Sequence, residues 1–133
     1  MITRAAVLIG STLAAAGFAL GAAASTVPVA AGDYVRARVQ CHGAPFAAMI
    51  HFDGRNFSGP HSSDCATTVV REHGARYALS STCKAAGDGS PARPYTEAET
   101  VRVKSASRFS FTHRTGAGAI DRADYRLCAG GRS

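Results

Sequence analysis

Apolar and polar residues alternate along much of this chain with a period of two. In YVRARVQC, the residues Val35, Ala37, Val39 and Cys41 alternate with Tyr34, Arg36, Arg38 and Gln40. That pattern predicts a half-buried strand with Cys41 pointing inward. His42-Gly43-Ala44-Pro45 reads as a turn, after which FAAMIHF places Phe46, Ala48, Ile50 and Phe52 on one face of a second strand. Asp53-Gly54-Arg55-Asn56 is a further turn signal, and FSGPHSSD reads as a polar loop. Between Cys65 and Cys83, Val69 and Val70 run into the polar break Arg71-Glu72-His73-Gly74. Tyr77 and Leu79 then alternate with Arg76, Ala78 and Ser80. This predicts a hairpin whose glycine takes a positive φ and whose two cysteines face each other across an antiparallel ladder.

The second half repeats the pattern with longer interruptions. KAAGDGSPARPY holds two glycines and two prolines, so it is expected to be the longest irregular and most mobile piece. Alternation resumes in ETVRV, turns at Lys104-Ser105-Ala106-Ser107 and returns through Phe109 and Phe111. Pairing Val103 with Phe109 and Val101 with Phe111 puts all four on one face. THRTGAGAIDRAD reads as a Gly-rich connection and YRLC as a short last strand. No window outside the amino-terminal segment has helical periodicity. The expected fold is therefore all-β, a small antiparallel meander or barrel of lipocalin-like or inhibitor-like proportions, with a β-sandwich as the alternative. The chain has no Trp to fill the usual core position between immunoglobulin-type sheets.

Residues 1–24 are set apart from this pattern. Arg4 precedes the uncharged run AAVLIGSTLAAAGFALGAAA, which ends on small residues, as a secretory signal with cleavage after Ala24 would. Residues 25–33 then form a flexible lead and residues 34–133 a single β domain. No membrane span is expected after signal cleavage, and the mature chain is expected to be a monomer. All four cysteines lie beyond the signal segment, and an even count there predicts two disulfides formed in a secreted or periplasmic setting. Strand order favours Cys65–Cys83 within the hairpin and Cys41–Cys128 joining the first strand to the last.

Charge narrows function only slightly. The formal charge is +6, carried almost wholly by arginine, with Lys84 and Lys104 the only lysines. The arginines are dispersed rather than blocked, which gives no specific nucleic-acid signal but leaves room for a protein or anionic surface as partner. The five histidines lack metal-ligand spacing, and no metal or other cofactor is expected. A small hydrolase would have to pair His51 or His113 with Glu97 or Glu99, and nothing in their spacing selects that chemistry. Asn56-Phe57-Ser58 matches the N-glycosylation pattern.

Val39-Gln40-Cys41-His42-Gly43 and Gly74-Ala75-Arg76-Tyr77 resemble segments of the small β-barrel periplasmic inhibitors of C-type lysozyme. The resemblance implies a secreted barrel bridged from an early to a late cysteine, with a loop that enters an enzyme cleft. His73 stands where that family has a loop serine, its Trp-containing segment is absent, and the last cysteine lies farther along the chain. Three functional classes follow. The first is a binding module, including an enzyme inhibitor; the second is a calycin-like carrier of a small apolar ligand; the third is a small secreted hydrolase. For the binding module, the hairpin tip supplies the candidate contact residues Arg71, His73, Arg76 and Tyr77.

Overall fold

The computed structural model describes residues 25–114 and 117–130. Eight antiparallel strands form one sheet: β1 (Gly32–Arg36), β2 (Met49–Phe52), β3 (Phe57–Ser58), β4 (Ser62–His73), β5 (Arg76–Ala86), β6 (Pro91–Ser105), β7 (Arg108–Arg114) and β8 (Ile120–Leu127). Their spatial order is β3-β2-β1-β8-β7-β6-β5-β4, a meander in which β1 lies beside β8. The sheet curls into a nearly closed barrel, with β3 reaching β4. No β3–β4 strand ladder forms, and side chains from both sides close the seam instead. The Phe57 amide donates to Thr67 Oγ1 at 3.0 Å and the Thr67 amide donates to Asn56 Oδ1 at 2.9 Å. The Gly59 amide bonds the Ser62 carbonyl. A side chain at Gly59, where φ is +88°, would collide with the Met49 carbonyl, so glycine permits the close approach.

Aromatic rings fill the barrel. Phe52 and Phe57 stack at 4.3 Å, Tyr34 meets Phe109 at 4.7 Å, and Tyr125 stacks on Phe109 at 5.7 Å. Ile50, Leu79, Val101 and Phe111 complete this core, and Val27 joins it from the stretch read as a flexible lead. A smaller cluster of Val35, Met49 and Cys128 lies on the other side of the sheet. The disulfides are Cys41–Cys128 and Cys65–Cys83, and no cysteine is free. That redox state is characteristic of an oxidising compartment. No helix among the described residues is long and apolar enough to cross a membrane. The signal segment lies outside the described residues.

The predicted cross-strand pairs Cys65 with Cys83, Val101 with Phe111 and Val103 with Phe109 are the observed register. Other expectations need correcting. The first strand stops at Arg36 rather than Cys41, and Tyr34, not Cys41, points into the barrel. The second begins at Met49; the expected strand residues Phe46–Ala48 form a 3-10 turn, leaving Phe46 62% exposed. Phe57, read as part of a polar loop, is 1% exposed at the centre of the core. The supposed irregular piece from Lys84 to Tyr95 is mostly strand, interrupted only at residues 87–90, where Asp88 Oδ1 accepts from the Ser90 amide. β8 starts at Ile120, so the last strand is longer than YRLC.

Candidate binding face on the barrel wall

The hairpin turn follows from its sequence: Gly74 takes φ +57°, and His73 pairs with Arg76 across it. At Val70 the register shifts by one residue, so Arg71 lies opposite Ala78, Glu72 opposite Tyr77 and His73 opposite Arg76. The bulge changes which side chains face outward. Arg71, His73 and Arg76 are brought together on the exposed outer wall. Tyr77 is separated from them. It is 6% exposed within the core, and its hydroxyl donates to Glu72 Oε1 at 3.2 Å.

Two rows of outward residues extend from this tip across the barrel. In the first, His73 neighbours Arg76, then Arg102, Ser110 and Asp124 on successive strands. In the second, Arg71 is followed by Ala78, Thr100, Thr112 and Arg122. Arg102 and Arg122 were not selected from sequence, yet the Val101–Phe111 pairing implies them: if Val101 and Val103 point in, Arg102 points out. Arg38 and Lys104 border the far end, in a depression of about 550 Å³ that also reaches Arg122.

Only part of this positive charge is neutralised. Lys104 donates to Asp124 at 2.8 Å, and Arg36 pairs with Asp121 at 2.7 Å. The Lys104 hydrogen bond, followed by that of Ser110, holds the Asp124 carboxyl below its ordinary range. Arg38, Arg76, Arg102 and Arg122 have no acidic side chain within ion-pair distance among the described residues. Arg76 is directly opposite Arg102. Like charges so placed destabilise a sheet unless something else neutralises them.

Other candidate chemistry is scattered or already engaged. Asp33 and His51 form a 2.7 Å pair on the outer face of β1 and β2, with Ser58 as the next cross-strand neighbour. The neighbouring Gly59 amide, a potential anion donor, is already used by Ser62. Glu99 and His113 face each other across β6 and β7. The Glu99 carboxyl is 5% exposed; burial pushes its pKa up to about 7, partly offset by the Ser81 hydrogen bond and reinforced by Glu97. No three His, Cys, Asp or Glu among the described residues are placed to hold a metal ion. Asn56, from the glycosylation pattern, spends its side-chain oxygen on the Thr67 amide and its nitrogen on Asp53. No family model, curated protein or solved structure matches this chain.

Proposed function

We propose that this is a secreted or periplasmic binding module, acting as a monomer, that holds an anionic partner against the arginine-lined wall of β5 to β8. The opposed pair Arg76 and Arg102 carries the reading. Folding places two cations side by side without an acidic neighbour, and a bound anion converts that repulsion into attraction. The scaffold suits the task because two disulfides brace it and the face lies mainly on strands, so little ordering entropy is lost on binding. The aromatic filling of the barrel argues for a surface site over a calycin-like interior ligand site.

A second form of this reading is enzyme inhibition, with the His73–Arg76 turn entering an acidic cleft. It is favoured by open space around Gly74, where even a Cβ would meet nothing within 4 Å. Both forms require the same arginines. The test is retention on phosphocellulose, comparing Arg76→Ala/Arg102→Ala with Arg55→Ala/Arg93→Ala, which removes the same formal charge elsewhere. The first variant is expected to elute at clearly lower salt than the second. Equal elution would mean that net charge alone governs retention and that the face has no special role.

A further inference from the structure

The outer wall carries a channel as well as charge. At the step where β7 ends and β6 continues, a depression of about 480 Å³ is lined by residues including Tyr95, Glu97, Thr100, Thr112, Arg114 and Ile120. It meets a second depression of about 280 Å³ at Thr100, Thr112 and Ile120, where Arg76, Arg102 and Arg122 contribute the charge. Arg122 in turn joins this to the depression bordered by Arg38 and Lys104. Linked by these shared residues, the three mark out a path along the wall. From β5 to β1 it crosses four interstrand steps, about 19 Å at ordinary sheet spacing.

We infer, building on the anion-binding reading, that this path accommodates a linear anionic polysaccharide, with the arginines holding its charged substituents and the Thr100–Thr112 pair meeting its hydroxyls. Thr100 and Thr112 face each other across β6 and β7, and neither hydroxyl has a hydrogen-bond partner among the described residues. They are therefore free to donate and accept, as a sugar hydroxyl requires. Ile120, 66% exposed, provides an apolar ledge beside them for the C–H face of a ring. Arginine forks suit sulfate, phosphate and carboxylate substituents alike.

Other polyanions fit less well. Rings line the first depression alone, at Tyr95 and His113, so successive nucleobases would find no run of stacking platforms along the path. An acidic peptide could satisfy the arginines but would leave the threonine pair without a specific role. Asp124 lies in the cationic row and is held by Lys104 with a further attraction to Arg122, which leaves Arg76 and Arg102 as the principal charge contacts.

Calorimetric titration of the full oxidised chain would test this with two probes of matched charge, a dextran sulfate hexasaccharide and a poly-glutamate peptide. The hexasaccharide is expected to bind at least tenfold more tightly, with that preference largely lost in Thr100→Val/Thr112→Val. Arg102→Ala/Arg122→Ala should weaken both probes. Equal affinity for the two probes, or a preference untouched by the threonine substitutions, would overturn the polysaccharide inference while leaving the anion-binding face standing. Failure of the wild-type chain to bind either probe would overturn both.

Discussion

Inside the barrel, the Ser81 hydroxyl donates to Glu99 Oε2 at 2.7 Å, joining a buried carboxyl to the seam between the two ends of the sheet. The path continues through a 3.1 Å hydrogen bond between Ser81 and Thr67, and Thr67 accepts from the Phe57 amide. Because an amide can only donate, Thr67 receives at the Phe57 end and has its own hydroxyl proton available for Ser81. A sequence of donors thus runs from β3 to β6 and ends on Glu99.

This arrangement gives stability a defined pH dependence. Glu99 is raised from 4.5 to about 7, mainly by burial, so between those values the folded chain binds a proton that the unfolded chain has released. The resulting advantage is fully present below about pH 4.5 and lost as pH rises to about 7, amounting to about 3 kcal/mol from the shift. Glu99→Gln, which can still accept from Ser81, should stabilise the protein at pH 8 and flatten the profile across this window. Urea denaturation of both proteins at pH 5 and pH 8 checks it; parallel profiles would separate Glu99 from the effect.

The seam itself should be sensitive at Thr67. Thr67→Val keeps the shape but leaves the Phe57 amide without its acceptor and Ser81 without a partner on that side. A cost of about 2–3 kcal/mol is expected, with Thr67→Ser much milder. Chemical denaturation checks it: a lower midpoint with an unchanged m-value is expected, and an unchanged midpoint for Thr67→Val would contradict the role of the seam hydrogen bonds.

The two disulfides should differ in their contribution. Sequence separations of 87 and 18 residues lead to about 4–5 kcal/mol for Cys41–Cys128 and about 3 kcal/mol for Cys65–Cys83 on loop-closure entropy. Removing the longer bridge also uncovers Val35 and Met49, so that pair of Cys→Ala substitutions should lower Tm more. A larger loss from the Cys65–Cys83 pair would reverse this ranking.

Strands whose polar and apolar faces are cleanly separated were readable from sequence. Val101, Val103, Phe109 and Phe111 alternate against Arg102, Arg108 and Ser110, so pattern and register agree. β1 was harder because both of its sides are covered: Tyr34 enters the barrel while Val35 packs under the Cys41–Cys128 bridge. An alternation read one residue out of phase exchanges the faces. Pro91 and Pro94 read in the sequence as strand breakers, but β6 pairs with β7 only from Glu99 onward. The earlier part of β6 is an edge on that side, where proline can be tolerated. The candidate face is half visible in the sequence: Arg71, His73 and Arg76 lie at one hairpin tip, whereas Arg102 and Arg122 join them only through the sheet.

Asp124 opposes the proposed ligand charge at the far end of the first row. Asp124→Asn would retain an acceptor for Ser110 while removing a negative charge and freeing Lys104. Affinity for an anionic probe should rise several-fold, measured by titration at constant ionic strength. Weaker binding would place the anion elsewhere.

The salt dependence of anion affinity tests the central assignment most directly. Binding of the dextran sulfate hexasaccharide to the wild type and to Arg76→Ala/Arg102→Ala should be followed from 50 to about 200 mM salt, with log K plotted against log salt. The wild type should show the steeper fall, and the double substitution should make the slope shallower by roughly one to two while weakening binding at low salt. Equal slopes and affinities in two folded proteins would contradict the assignment of Arg76 and Arg102 to the anion site.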